Sequence, residues 1–236
     1  MNAGLLGRKS GRGFYDYAKD APQAVPGDAP AGPRPGRIVI EGDLGPAAAL
    51  VQQARDAGIE VIARDGEGVI RIDRTILALT DGRAATERMA SDGSPIVLFD
   101  LALDYAAASR MAIARADRAD DAALAQAAGF FQALGKTVSV IDDAPGLVVM
   151  RTVAMLANEA ADVVHQGVAN AADVDISMLK GVSYPRGPLA WADAIGPARI
   201  AGVIDALARA YGEDRYRNSP LLRRRALSGL PFHQPN

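Results

Sequence analysis

The sequence predicts an α/β unit followed by an all-α unit, and three observations support it. Short apolar runs alternate with helical patterns between residues 36 and 143, the signature of strands joined by crossover helices. After Pro145 the apolar residues switch to a continuous helical period. A Pro-rich stretch, residues 22–35, separates both units from a short head.

Composition narrows the classes. The chain has 236 residues, 49% of them apolar, enough to build substantial cores. Its net charge of −2 provides no field that would gather nucleic acid. Without Cys there is no disulfide, thiolate nucleophile or Cys-ligated zinc, and two His, His165 and His233, make no metal cluster. The opening MNAGLLGRKSGRG lacks the apolar centre of a signal peptide. No run approaches the roughly 18 apolar residues of a membrane span. A soluble, cytoplasmic chain is expected, with no nucleic-acid or membrane partner.

Residues 1–20 are too few to own a core. Gly11 and Gly13 bracket Arg12 ahead of Phe14, Tyr15 and Tyr17, which reads as a turn whose rings need burial elsewhere. The head is either the tail of another domain or a piece that docks onto another chain. Residues 22–35 hold five Pro and two Gly, a composition that suits a semi-extended linker, taken as 21–35, and no regular element.

Arg37–Glu41 is a β-type run. Ala48, Leu50, Val51 and Ala54 then keep a helical period that stops at Gly58. Residues 59–63, 69–72 and 75–79 read as strands, 83–90 as a helix and 95–100 as a buried strand. Residues 106–114 fit helix or strand equally. An Ala-rich helix over 121–135 and a strand over 136–141 complete a small sheet, expected to be parallel. In the second unit Leu147, Met150, Ala154, Ala157, Ala161, Val164 and Val168 recur at steps of three and four. Four shorter helices follow, over 171–179, 188–195, 197–211 and 221–227.

An α/β unit invites a nucleotide, and the first strand-to-helix turn tests it. A dinucleotide fold needs glycines there so that the backbone can approach pyrophosphate at a helix N-terminus. Here the turn is Glu41-Gly42-Asp43-Leu44-Gly45-Pro46, with two carboxylates where phosphate would sit and a Pro that removes a donor. The chain contains neither GxGxxG nor GxxxxGK[ST]. A degenerate α/β unit, structural rather than cofactor-binding, fits better.

Candidate constellations are few. Asp162 and His165 share a helix face, as a solvent-facing pair or as an acid/base pair. Asp173 and Asp175 suit helix-starting carboxylates, and Asp142-Asp143 suit a cap for the long helix. Arg215, Arg217, Arg223, Arg224 and Arg225 could meet phosphate, but neighbouring Glu213 and Asp214 favour a solvated helix. No catalytic residue and no metal ligand is assigned.

Two segments resemble a known family. GLLGRKSGRGFYDY (residues 4–17) resembles the closing motif of the 3-hydroxyacyl-CoA dehydrogenase C-terminal domain, a G-R/K-K-T/S-G-x-G-F-Y run. Residues 145–196, from PGLVVMR through NEA and DVDIS to GVSYPRGP, are similar to the helical domain of the same family, and KTVSVIDDAPG resembles the strand leading into it. The order resembles the C-terminal half of long bacterial members with duplicated helical domains. The resemblance implies a preceding helical domain's tail (1–20), a linker (21–35), a reduced Rossmann-like domain (36–143) and a helical dehydrogenase domain (144–236).

The family oxidises L-3-hydroxyacyl-CoA to 3-oxoacyl-CoA with NAD, using a fingerprint and a His–Glu pair in an N-terminal domain that this sequence lacks. NAD is therefore expected in the intact enzyme and no cofactor on this chain. The family's helical domain supplies one polar active-site residue, the Asn of P-G-F-V-V-N-R, and Met150 stands at that position, leaving this copy catalytically blank. Lys9 matches the closing-motif basic residue that lies near the cofactor, a role for the intact enzyme only. Acyl-CoA would be the intact enzyme's substrate.

The resemblance further implies that this copy stands in for a dimer partner's helical domain, with the Ala/Val seam as its packing face. The chain is then expected to self-associate or to bind the missing N-terminal half. A start in mid-domain favours a truncated piece. The competing readings are a non-enzymatic assembly module for a separate dehydrogenase, and a relic domain that senses CoA or a nucleotide.

Overall fold

In the computed structural model, residues 4–18, 20–21 and 27–233 are described, so part of the head and residues 22–26 of the expected linker lie outside them. Seven strands form one sheet: β1 (Arg37–Glu41), β2 (Glu60–Arg64), β3 (Val69–Ile72), β4 (Thr75–Leu79), β5 (Ile96–Phe99), β6 (Arg110–Arg115) and β7 (Thr137–Val140), in the order β2-β1-β3-β4-β5-β6-β7. The sheet is flanked by α1 (Ala49–Asp56), α2 (Ala85–Asp92) and α3 (Asp121–Ala133). The bundle consists of α4 (Val149–His165), α5 (Ala171–Gly181), α6 (Pro188–Ile195), α7 (Pro197–Tyr211) and α8 (Pro220–Ser228).

The sheet is mixed, which corrects the expectation of a parallel one. Pairs β1–β2, β4–β5 and β6–β7 are parallel; β1–β3, β3–β4 and β5–β6 are antiparallel. The cause is local: only Asp73 and Arg74 separate β3 from β4, and two residues allow a hairpin but no crossover. Asp73 takes φ 50° to close it. Of the ambiguous stretch over 106–114, residues 106–109 form a turn and irregular chain and residues 110–114 fall in β6, with Met111 and Ile113 buried.

The Pro-rich stretch is packed where it is described. Ala29 N–H donates to Val138 O at 2.7 Å, so residues 27–29 cover the outer edge of β7. Gln132 accepts from Gly32 N–H at 2.8 Å and donates to Pro30 O at 3.0 Å. Gly32 and Gly129 touch backbone to backbone, and a Cβ on Gly129 would lie 2.7 Å from the Pro33 carbonyl carbon. Over residues 27–35 there is neither helix nor strand, as the Pro-rich composition predicts, but a chain without regular structure can still dock.

The seam on α4 is core. Leu147, Met150, Ala154, Ala157 and Ala161 are buried, against α6, α7 and α8. Small residues let those helices approach closely, so the seam is consumed within the chain. Only its end, Val168, is open to solvent.

Candidate functional site

In an open α/β sheet, ligands enter at the C-terminal ends of the parallel strands. Here β1, β4 and β5 point the same way, and the bundle is seated on all three ends. After β5, Asp100 is buried, and its carboxylate accepts from the N–H groups of Val148 (2.9 Å), Val149 (2.7 Å) and Met150 (2.9 Å), the first turn of α4. After β4, Gly82 lies on α7 so closely that a Cβ there would meet Val203 O at 2.7 Å. After β1, Gly45 sits beneath the Arg199 guanidinium of α7.

The same residues fail the requirements of a dinucleotide. The Glu41 carboxylate forms a two-pronged ion pair with Arg71 at 2.9 and 3.0 Å, and Asp43 accepts from Gly45 N–H at 2.8 Å to close its own turn. Arg71's hydrogen bonds hold the Glu41 carboxyl below its ordinary range. Two anchored carboxylates and a packed helix leave no place for a pyrophosphate at this turn.

A further ion-pair cluster, Asp81 with Arg83 and Arg88, lies within the α/β unit. Burial pushes the Asp81 carboxyl up, but the Arg83 hydrogen bonds at 2.6 and 3.1 Å and the nearby Arg88 charge outweigh it, and the group ends below its ordinary value. Lys136 is buried and makes no ion pair within 4 Å among the described residues; its ammonium donates to Tyr105 O (2.6 Å) and Ala108 O (2.8 Å), and desolvation lowers its pKa against the opposing charge of Asp104. Its work is to fold the loop before β6.

The singled-out acids are structural, though not always at the expected element. Asp143 accepts from Ala85 and Thr86 N–H (2.6 and 2.8 Å) and so caps α2; the long helix α4 is capped by Asp100 instead. That exchange crosses between elements distant in sequence, where spacing carries no signal. Asp173 forms a reciprocal capping pair with Asn170. Asp175 is buried and caps α6 through Leu189 and Ala190 N–H (2.9 and 2.8 Å). His233 then bridges Asp175 (3.1 Å) and Asp193 (2.7 Å), fastening the last described residue to the bundle.

The Asp162–His165 pair does not form. Asp162 accepts from Gln166 at 2.8 Å and faces Arg217 at 3.5 Å, while His165 is exposed. In the Arg cluster, Arg215 pairs with Glu213 and Arg223 with Asp205, as a solvated surface would. Sequence reading did not single out Asp205, Asp100 or Lys136. Met150 is fully buried.

Lys9 lies in a single exposed helical turn, Arg8–Ser10. Ser10 Oγ holds that turn by accepting from Leu6 N–H and donating to Arg12 O, both at 2.8 Å. Leu5, Leu6, Phe14, Tyr15 and Tyr17 stay exposed around it. Among the described residues no group of His, Cys, Asp or Glu could hold a metal ion, and no helix is long and apolar enough to cross a membrane.

Comparison with known proteins agrees with this architecture. Residues 77–145 match the family model of the 3-hydroxybutyryl-CoA dehydrogenase reduced Rossmann-fold domain, and residues 146–231 match that of the 3-hydroxyacyl-CoA dehydrogenase C-terminal domain. The chain is 35% identical over 224 residues to the 3-hydroxyadipyl-CoA dehydrogenase of Escherichia coli K12, covering 95% of this chain and 42% of that protein. It is 40% identical over 97 residues to a probable 3-hydroxybutyryl-CoA dehydrogenase of Deinococcus radiodurans, covering 41% of this chain and 35% of that one.

Among solved structures, the 3-hydroxybutyryl-CoA dehydrogenase of Escherichia coli K12 superposes with a TM-score of 0.76 at 34% identity, over 97% of this chain and 43% of that one. The chain thus spans less than half the length of these relatives. Through its reduced Rossmann-fold unit and its helical domain, the chain belongs to the 3-hydroxyacyl-CoA dehydrogenase family.

Proposed function

We propose that this chain is the C-terminal part of an NAD-dependent 3-hydroxyacyl-CoA dehydrogenase, completing its fold and substrate pocket while carrying no catalytic group of its own. The observation that carries the reading is Met150. Its N–H is held by Asp100, its side chain is fully buried, and a thioether offers no useful hydrogen bond to a hydroxyacyl substrate. Hydride transfer needs a held cofactor and a base, and the closed junction provides neither.

In this reading the residues before the Pro-rich stretch finish a preceding helical domain, residues 36–143 form the spacer and residues 144–236 the second helical copy. NAD and acyl-CoA belong to the intact enzyme, where Lys9 lies near the cofactor. The missing N-terminal half, or a second copy of the helical domain, is the partner.

The test is an NADH-linked assay with acetoacetyl-CoA on the purified chain, with NADH binding followed by fluorescence in the same sample. No turnover and no binding are expected. Turnover by the chain alone would overturn the reading, and Asp43, Asp162 and His165 would be the first residues to substitute.

A further inference from the structure

The two edges of the sheet are treated differently. Residues 27–29 cover β7, and the Arg110–Asp28 ion pair at 2.6 Å pins them there. At the other edge β2 pairs only with β1, and among the described residues nothing pairs with its outer side. An uncovered edge strand is a template for another strand.

Which groups β2 presents is fixed by its inner ladder. Glu60 N–H donates to Gly36 O, and Arg64 O accepts from Gly42 N–H. In a parallel ladder alternate residues turn both backbone groups to the neighbour, so residues 60, 62 and 64 face β1. The N–H and C=O groups of Val61 and Ala63 face outward. The strand reads Glu-Val-Ile-Ala-Arg, with opposite charges at its two ends. Neither the Glu60 carboxylate nor the Arg64 guanidinium makes a side-chain hydrogen bond or an ion pair within 4 Å among the described residues, though the Arg64 charge helps to lower the Glu41 carboxyl on the neighbouring strand, and Ile62 is half-buried between them.

We infer that β2 pairs antiparallel with β2 of a second copy of this chain, about a two-fold axis passing between the two Ile62 residues. In that register Val61 faces the partner's Ala63 and Ala63 faces its Val61, so the outward groups exchange four backbone hydrogen bonds. Glu60 falls opposite the partner's Arg64 twice, in non-hydrogen-bonded positions where side chains approach most closely. Sliding the register by one step of the two-residue period places Glu60 or Arg64 opposite an apolar residue or beyond the strand. These charges would repel in an in-register parallel copy and would be left unpaired in a shifted one, so they select this register. The inference does not depend on the dehydrogenase reading, since it uses only the edge, its register and its charges.

The absence of cysteine makes the test direct. Antiparallel non-hydrogen-bonded partners stand about 4.5 Å apart at Cα, inside the range that a disulfide spans. Ile62→Cys is expected to cross-link to a covalent dimer under mild oxidation, whereas Val61→Cys, which faces Ala63, is not. In sedimentation velocity, Glu60→Arg and Arg64→Glu are each expected to weaken the dimer about tenfold, by turning two attractions into repulsions. The double exchange is expected to restore it.

Ala63→Pro removes an outward donor and leaves the β1 ladder untouched, so it is expected to weaken the dimer while thermal unfolding reports an intact fold. A monomer at every concentration overturns the proposal. So does a dimer indifferent to Glu60→Arg, Arg64→Glu and Ala63→Pro alike, which would place association on another face, such as the helical domain. An edge occupied only when a foreign extended peptide is added overturns it as well.

Discussion

Asp100 and Met150 are joined by a 2.9 Å hydrogen bond from the Met150 N–H to the Asp100 carboxylate. One end of that bond closes strand β5 and the other opens helix α4, so the sheet and the bundle are fixed to each other through it. The carboxylate also accepts from Leu101, Val148 and Val149 N–H. Helix N-termini leave such donors unsatisfied, and a carboxylate there is also favoured by the helix dipole. Asp100→Ala is expected to cost about 2–4 kcal/mol, because four backbone donors, two of them buried, lose their acceptor. Asp100→Asn, which keeps one acceptor oxygen, should cost less. Urea unfolding of the two variants measures the order.

Met150→Asn introduces the Asn that the resemblance places at this position. The side chain is fully buried in the hydrophobic core. The amide is expected to cost about 2–4 kcal/mol without creating dehydrogenase activity. NADH oxidation with acetoacetyl-CoA, run beside a denaturation curve, checks both halves of this expectation.

Gly129→Ala is expected to release the strap over residues 27–35. The new methyl would press into Pro33 and Gly32 backbone, which cannot yield as a flexible side chain would. The Ala29–Val138 hydrogen bond should then open and expose the β7 edge. Limited proteolysis would show the strap cut well before the sheet, at a rate several-fold above that of the unsubstituted chain.

These interactions mark the limit of what the sequence reveals. Elements with strong periodicity, such as α4 and α7, are legible because their own spacing encodes burial. The antiparallel β3–β4 hairpin was within reach, since Asp73-Arg74 is too short for a crossover, but strand signals alone do not state direction. Asp143 capping α2 and Asp100 capping α4 are contacts across 58 and 50 residues, and nothing local distinguishes one cap from the other. The expectation of a catalytically blank copy rests at Met150 on resemblance alone, because a buried Met in a helix carries no functional message by itself.

The Glu41–Arg71 pair makes stability depend on acid pH in a defined direction. Hydrogen bonding to Arg71 holds the Glu41 carboxyl below its unfolded value of 4.5. A depressed folded value means that the unfolded chain binds the proton first as pH falls. The contribution of the pair is therefore complete above 4.5 and is lost as pH falls through the lowered folded value. Both side chains keep some solvent contact, so screening limits the contribution to about 0.5 kcal/mol. Glu41→Gln should be less stable than the unsubstituted chain at neutral pH by about that amount. The two curves should converge below pH 4.5. Urea titrations at a series of pH values from neutral downward test this; a gap that stays constant with pH would mean that the variant acts through packing in the first β-to-α turn instead of through the charge.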